Sequence, residues 1–414
     1  VKAQGGNTAP TASKVVYDFQ HFSDIKMLQL FEKAVKEGKR YPSYDELKAA
    51  GLADEIEFVR SHVRKRSILS RKDRLIPSTF ETRELFMNIP AGAGRTVGGY
   101  PSSEFASDNF SMWNYTNLFG AWNHGLFQAP GSWADAAHKN GTDLLSGVKF
   151  FDTTGNPGGV GAEGWLPILK AKNTDGTFKY AKPMIYMLQY LGLDGINYNW
   201  EASSYNDPEV IAFHQKLYEI AKAEKFDNFH IAIYTLNNSL TPYNVEALFG
   251  KNNKKTADVM LNYVSDDFTY SMPQSVAQAK TAMGTADGVY AGVWIVTMNR
   301  AWSRVSATPE CGVCLWGEHA QSRFWSYNAG GDADEMMVNY QKLLERGFSG
   351  GNRNPLSRPA VKDRGHNWEE SNGVQPLSTF PGMATWIPER TTINGNLPFS
   401  THFNMGAGSQ YHYK

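Results

Sequence analysis

Short apolar runs recur along the chain from Arg83 onward. They contain many β-branched and aromatic residues and are separated by polar loops or by helical patterns, as expected of buried strands. The runs are ELFMNIP (84–90), YTNLFGAW (115–122), DLLSGVKFF (143–151), GLDGINYNWE (192–201), HIAIYTL (230–236), DVMLNYV (258–264), GVYAGVWIVT (288–297) and GVCLWGE (312–318). Helical spacing of apolar residues is clearest in YAKPMIYMLQYLG (180–192) and PEVIAFHQKLYEIAKAEK (208–225).

Strand-like runs that alternate with helical segments predict parallel βαβ units and an α/β fold. Eight such runs within residues 83–348 fit a closed (β/α)₈ barrel, the TIM barrel, in which catalytic residues lie at the carboxyl ends of the strands. The alternative is an open doubly wound sheet. It is disfavoured because no glycine fingerprint follows the first run.

The segments on either side of the barrel region have a different character. Residues 1–82 are mostly polar, with helical patterns at 24–38, where Gly38 supplies a stop, and at 45–66. They predict an N-terminal extension that packs on the barrel. Residues 349–414 predict a C-terminal loop-rich segment, which would fit the start of a truncated further domain.

Composition excludes several classes of protein. Lys+Arg and Asp+Glu both number 41, so the chain has no basic footprint for nucleic acid. It also has no run of about 18 apolar residues, the length that a membrane span needs. The chain begins at Val1 with polar, small residues, and we expect a protein that is exported to the periplasm, the cell surface or the medium. A monomer is expected.

Metal and redox chemistry find little support in the sequence. The 10 His residues are scattered without HxH or HExxH spacing, so neither a metal nor a cofactor is expected. Cys311 and Cys314 have the spacing of a redox motif or of half a zinc site. Because no second pair accompanies them and their segment is strand-like, we expect two ordinary buried thiols.

The fourth run carries the strongest chemical signal. Side chains alternate between the two faces of a strand, so Asn197, Asn199 and Glu201 share one face, which points inward in a barrel. Polar side chains on that face are unfavourable unless they bind one another or a ligand. A buried hydrogen-bond network without catalysis is the structural alternative. Asp194 begins the segment away from the catalytic rim, and we expect it to be structural.

One carboxylate and one amide two residues apart predict a particular chemistry. Most glycosidases use two carboxylates, whereas the substrate-assisted exception uses the acetamide of the sugar itself as nucleophile. Asn199 would accept the acetamide N–H and orient it. Glu201 would protonate the leaving oxygen and then deprotonate water, which gives retention of configuration. This chemistry requires a 2-acetamido sugar.

The pattern D-G-x-x-x-N-x-E on a fourth strand resembles glycoside hydrolase family 85, the endo-β-N-acetylglucosaminidases. The flanking segments are also similar to the family, patchily over residues 83–408: SMWNYTNLFGAW (111–122), AAHKNGTDLLSGVKFF (136–151), YAKPMIYMLQYLGLDG (180–195), LNY (261–263) and LPFSTHFNMGAG (397–408). The resemblance implies a mannosyl-glycoprotein endo-β-N-acetylglucosaminidase that hydrolyses the GlcNAc-β-1,4-GlcNAc bond of the N-glycan core. Its partner would be an N-linked glycan or glycopeptide.

The chain also departs from the family pattern. Where the family has Trp-Tyr-Asp-Ser at the end of the fifth strand, this sequence has Ile-Tyr-Thr-Leu (233–236). Tyr234 keeps the Tyr that the resemblance assigns to support of the intermediate. The eighth run matches poorly, which leaves the preferred glycan arms open. The motif spacing also resembles glycoside hydrolase family 18, but Asn197 and Asn199 replace two acidic residues of that pattern, so a chitinase-like activity is the alternative.

Further residues are candidates for sugar contacts. Asn262 and Tyr263 lie in the sixth run, and Tyr263 would either hold the acetamide or fill the core. Trp122, Trp294 and Trp316 fall near strand ends, where each would be a stacking platform or a packing residue. Asn88 and Asp152, which we expect to follow the first and third strands, are weaker candidates. Because of the departures, a non-catalytic glycan-binding barrel is a further alternative.

Overall fold

The structure of the chain is a computed structural model. It describes residues 17–18, 24–65, 83–90, 99–100, 110, 112–122, 129, 131–149, 162–262, 268–294, 308–316, 382–383 and 387–388. The predicted C-terminal segment 349–414 lies almost wholly outside this range, so its boundary and that of the N-terminal extension stay predictions.

Eight parallel strands form a closed barrel. They are β1 (Leu85–Pro90), β2 (Leu118–Trp122), β3 (Asp143–Lys149), β4 (Gly195–Asn199), β5 (His230–Tyr234), β6 (Asp258–Leu261), β7 (Val289–Trp294) and β8 (Gly312–Trp316). Each strand pairs with the next in the chain, and β8 pairs with β1 to close the ring. Each strand lies within one of the eight predicted runs. The predicted (β/α)₈ barrel is therefore confirmed.

Helices precede the barrel and separate its strands. They are α1 (Asp24–Lys36), α2 (Tyr44–Ala49), α3 (Ala53–Val59), α4 (Gly131–Lys139), α5 (Ala162–Lys170), α6 (Ala181–Leu191), α7 (Pro208–Ala223), α8 (Val245–Leu248) and α9 (Phe268–Met283). A short 3₁₀ turn, Ser203–Asn206, follows β4. Two-residue strand pairs join 17–18 to 99–100 and 250–251 to 254–255.

Local sequence explains where several helices begin and end. Gly192 ends α6 at a φ of 70°, a left-handed conformation that favours glycine. Asp207 caps α7, and Pro208 occupies its first turn. The predicted helical region 45–66 is in fact two helices, because Gly51 has a φ of 72° and interrupts it after α2.

The N-terminal helices contact the outer wall of the barrel. The Ser61 amide donates to the Leu191 carbonyl at 2.8 Å. Arg40 bonds Glu224 at 2.7 Å, and its guanidinium lies 4.3 Å from the centre of the Tyr186 ring. These contacts join residues 24–65 to α6 and to the end of α7.

Apolar side chains form two layers. The inner layer fills the barrel with Phe86, Leu118, Leu145, Ala232, Tyr234, Met260, Tyr290 and Cys314. The outer layer lies between the strands and the helices. Cys311 and Cys314 are both buried free thiols, as predicted.

Charged side chains close the amino-terminal end of the barrel. His230 Nδ1 lies 3.0 Å from Asp258 Oδ2, and its Nε2 lies 3.4 Å from Asp143 Oδ2. Lys65 and Lys255 pair with the same two aspartates at 2.7 and 2.8 Å. Burial alone would lower the pKa of His230, but the bonds to Asp143 and Asp258 outweigh it and raise this pKa to about 10.

This raised pKa predicts a pH-dependent contribution to stability. The unfolded pKa of histidine is about 6.5, so protonated His230 stabilises the fold fully below about pH 6.5 and loses that effect as pH rises towards 10. His230→Gln should lower the free energy of unfolding at pH 6 by about 2 kcal/mol. The difference from the unsubstituted protein should shrink between pH 6.5 and 10, measured by urea unfolding across this range. The exposed His62, changed to Gln, is the control and should leave the profile unchanged. A difference independent of pH would contradict the assignment.

Candidate active site

The inward face of β4 is polar at the carboxyl end of the barrel. Asn197 and Asn199 are buried, with 1% and 0% of their surface exposed. Glu201 lies two residues further along the chain and is partly exposed. The structure therefore brings the three residues of the predicted motif to the end of the barrel where (β/α)₈ enzymes have their catalytic residues.

The opposite side of β4 faces the helices and is held by aromatic packing. The Tyr198 hydroxyl lies 3.0 Å from His214 Nε2, and Trp200 Nε1 donates to Ser204 Oγ at 2.9 Å. Burial lowers the pKa of His214 to about 3, so its imidazole is neutral. Trp200 thereby ties the turn after Glu201 to the strand. Glu201 therefore lies in the short segment between Trp200 and Ser204, whose side chains bond each other.

Tyr234, at the end of β5, is the register partner of Asn199. The Trp200 amide donates to the Tyr234 carbonyl at 2.8 Å, which continues the pairing past the end of β4. The Tyr234 side chain is buried in the inner layer with 6% exposure. The predicted catalytic residues Asn199 and Tyr234 are thus neighbours across two adjacent strands.

The segment after β5 supports the same region through Asn237, which sequence reasoning missed. Its side-chain amide donates to Thr235 Oγ1 at 2.7 Å and to the Tyr205 hydroxyl at 3.1 Å. Tyr205 lies in the turn after Glu201, so Asn237 joins the ends of β4 and β5. The Asn-Asn-Ser run at 237–239 was the available signal.

Asn262 lies just beyond β6 and belongs to this rim. Asn262 is buried. Its backbone N–H donates to the Asn237 backbone carbonyl at 2.9 Å, and its side-chain Nδ2 lies 3.5 Å from the Leu236 carbonyl. Tyr263 lies outside the described residues. Asn262 therefore extends the polar rim by one strand.

The three predicted platform residues are at strand ends, as expected. Trp122, Trp294 and Trp316 are the last residues of β2, β7 and β8, and Trp294 pairs in register with Trp316. Their side chains lie outside the described part of the structure, so their contacts with sugar stay a prediction. Asp152 lies outside it as well.

Asn88 lies deeper in the barrel than its position in the sequence indicated. It lies within β1, not after it, and is fully buried. Asn197 Nδ2 donates to Asn88 Oδ1 at 2.8 Å and lies 3.4 Å from the Ala121 carbonyl. Gly120 makes room for this pair, because a Cβ at residue 120 would lie 2.5 Å from Asn197 Nδ2 and 2.7 Å from Asn88 Oδ1.

Asp194 lies at the opposite end of β4 and makes structural bonds. Its Oδ2 lies 2.7 Å from His138 Nε2 and accepts from the Leu144 amide at 2.8 Å. Asn228 bonds its other oxygen at 2.7 Å. These contacts agree with the structural role predicted for Asp194.

The described residues include neither a cluster of metal ligands nor a helix suited to a membrane. Within them, no three His, Cys, Asp or Glu side chains are placed to hold a metal ion. None of the described helices combines the length and apolar character that crossing a bilayer requires.

Comparison with known proteins places this geometry in a family. The family described as Glycosyl hydrolase family 85 matches residues 95–411. The Spr0440 glycoside hydrolase domain, Endo-D, from Streptococcus pneumoniae R6 has a similar structure, with a TM-score of 0.58 and 16% identity over 82% of this chain and 52% of that one. This chain therefore spans about half the length of Endo-D in that structure. At this identity, the likeness supports the barrel fold alone.

Weaker likenesses involve family 18. The catalytic domain of a family GH18 chitinase from the fern Peteris ryukyuensis has a TM-score of 0.35 and 14% identity, over 62% of this chain and 99% of that one. A family 18 chitinase from Crocus vernus has a TM-score of 0.32 and 14% identity, over 56% and 92%. Neither carries an argument about this chain. Among curated proteins, no sequence matches it.

The crowding at Gly120 predicts the effect of one added methyl group. Gly120→Ala should destabilise the fold by about 1–3 kcal/mol, because the new Cβ overlaps the Asn88–Asn197 pair. The double variant Gly120→Ala with Asn197→Ala should lose less stability than the sum of the losses in the two single variants, since the smaller residue at 197 makes room for the added methyl group. Urea unfolding of the two single variants and the double variant measures this. Strict additivity would show that Gly120 and Asn197 do not compete for space.

Proposed function

This chain belongs to glycosyl hydrolase family 85, and we propose that it is an endo-β-N-acetylglucosaminidase acting on the core of N-linked glycans. The bond cleaved is GlcNAc-β-1,4-GlcNAc, and the substrate is a glycan or glycopeptide. The mechanism is substrate-assisted and retaining. Family membership sets aside the family 18 alternative.

One observation carries the mechanistic proposal: at the catalytic end of β4, the carboxamide of Asn199 lies two residues before the carboxylate of Glu201, where most glycosidases have two carboxylates. Within the eight described strands, the only acidic residues are Asp143 and Asp258, and each is the first residue of its strand. They lie at the amino-terminal end, away from Glu201. A two-carboxylate mechanism would need a second acid from a loop, whereas an amide suits orientation of an acetamide.

The proposed reaction has two steps. In the first, the acetamide oxygen of the substrate attacks the anomeric carbon while Glu201 donates its proton to the departing glycosidic oxygen. Asn199 Oδ1 accepts the acetamide N–H and keeps its oxygen aimed at that carbon. In the second step, water attacks the cyclic oxazolinium, Glu201 takes the proton of the water, and the acetamide is restored.

The surrounding rim residues have supporting roles in this proposal. Tyr234, which is the register partner of Asn199, supports the charge of the cyclic intermediate. Asn197 and Asn262 belong to the polar surface under the sugar. Tyr263, Trp122, Trp294 and Trp316 supply stacking and polar contacts, as the sequence predicted.

Cleavage of a high-mannose glycopeptide tests the bond and the acid together. Mass spectrometry should find peptide that keeps one GlcNAc and free glycan that is one GlcNAc short. Glu201→Gln should reduce the rate by at least about 10³-fold, because the proton donor is lost, while glycan binding measured by calorimetry persists. Binding of high-mannose, hybrid and complex glycopeptides with no cleavage of any of them would identify a non-catalytic glycan-binding barrel.

The acetamide role of Asn199 has its own test. Asn199→Ala should lower the hydrolysis rate by about 10²-fold or more, because the acetamide is no longer oriented. A pre-formed sugar oxazoline, offered with a GlcNAc-peptide acceptor, should restore transfer in part since it bypasses ring closure. Asn228→Ala, which removes an amide at the other end of the barrel, is the matched control and should keep the catalytic rate. Normal hydrolysis by Asn199→Ala would show that the acetamide does not depend on this residue.

A further inference from the structure

The hydrogen bond between Asn88 and Asn197 crosses the interior of the barrel. We propose that Asn88 is a positioning residue, which holds the inner face of β4 through Asn197 and so fixes Asn199 for ring closure. This inference rests on the proposed function. Asn88 precedes the segment matched by the family, residues 95–411.

The bond joins strands that are not neighbours. β1 and β4 are separated by β2 and β3 around the barrel, yet Asn197 Nδ2 and Asn88 Oδ1 are 2.8 Å apart. Sheet hydrogen bonds join each strand only to its neighbours, whereas this bond joins two strands on different sides of the closed barrel. The amide pair is therefore a direct tie between two walls at the level just below Asn199.

Hydrogen bonds, rather than large neighbouring side chains, restrain Asn197. Its register partners are Gly147 on β3 and Ala232 on β5, and Gly120 faces it from β2. None of the three offers a side chain larger than a methyl group against which the amide could pack. Asn197 Oδ1 is buried and has no hydrogen-bond partner among the described residues. The Asn197 amide is thus oriented by the two bonds of its Nδ2, the shorter to Asn88 Oδ1 at 2.8 Å and the longer to the Ala121 carbonyl at 3.4 Å.

The remaining surroundings of Asn88 are weak hydrogen-bond acceptors. Its Nδ2 points to Met260 Sδ at 3.4 Å, and it also interacts with the Cys314 thiol. Sulfur in these groups accepts weakly, and an apolar side chain of similar size would pack there equally well. A fully buried amide in this place is unfavourable unless its bond to Asn197 is used.

Asn199 is the next inward residue along β4, about 7 Å further on. A shift of β4 at Asn197 therefore moves the carboxamide that aims the acetamide oxygen. Displacement of a reacting group by about 1 Å can slow a reaction by about 10²-fold. Because the sugar is bound by many other groups, the loss should fall on kcat and spare KM.

The test replaces Asn88 by leucine, which has the same branched arrangement of side-chain heavy atoms and no acceptor. Asn88→Leu should lower kcat on a high-mannose glycopeptide by about 10- to 100-fold and change KM by less than about threefold. A thiazoline mimic of the cyclised sugar should bind Asn88→Leu at least about tenfold more weakly than it binds the unsubstituted protein, because the mimic has the shape that a correctly placed Asn199 recognises. Met260→Leu touches the same amide from its other side and keeps the Asn88–Asn197 bond, so its kcat should stay within about threefold.

A double-mutant cycle separates positioning from packing. If Asn88 acts through Asn197, adding Asn88→Leu to Asn197→Leu should cause no further loss of kcat. Multiplying losses, or unchanged kcat in folded Asn88→Leu, would overturn the positioning role and leave the proposed function intact. Absence of cleavage by the unsubstituted protein on every glycan class would overturn both proposals.

Discussion

Carboxamide side chains occupy the interior of the barrel, where Val, Ile and Leu ordinarily fill the space. A buried amide has to keep its hydrogen bonds, so its neighbours must leave room and supply partners. Gly120 leaves the room, Asn88 supplies the acceptor, and Ala232 keeps the adjoining wall short. The residues that β1, β2 and β5 present to β4 at this level meet this single requirement.

The same requirement explains the division of labour between the two faces of β4. The inward face carries the polar groups, and the outward face carries Tyr198 and Trp200, which pack against α7 through His214. Aromatic packing outside the barrel resists tilting of the strand, which small neighbours on the inside do not. The strand that presents Asn199 is therefore held on both sides, by aromatic packing outside the barrel and by the Asn88–Asn197 bond inside it.

Periodicity predicted the α/β class, because eight strand-like runs alternate with helical segments, and the missing glycine fingerprint favoured the barrel over an open doubly wound sheet. It also predicted the shared face of Asn197, Asn199 and Glu201, since alternation along a strand has a fixed period. The prediction of one helical region across Gly51 was wrong. A single glycine inside a helical pattern is often tolerated, and the sequence does not show that this one adopts a left-handed conformation. Asn88 and Asn237 were undervalued, because their partners are distant in sequence and only closure of the barrel brings them together.

The ring of charges around His230 and the rim around Glu201 lie at opposite ends of the same strands. A five-residue strand separates them by about 17 Å, beyond the range over which substitutions usually couple and beyond the Debye length of about 8 Å in physiological salt. Changes at one end should therefore add to changes at the other. This independence matters for evolution. A substitution at the rim that admits a different glycan can lower the stability of the fold, and a second substitution at the amino-terminal end can restore that stability without affecting the rim.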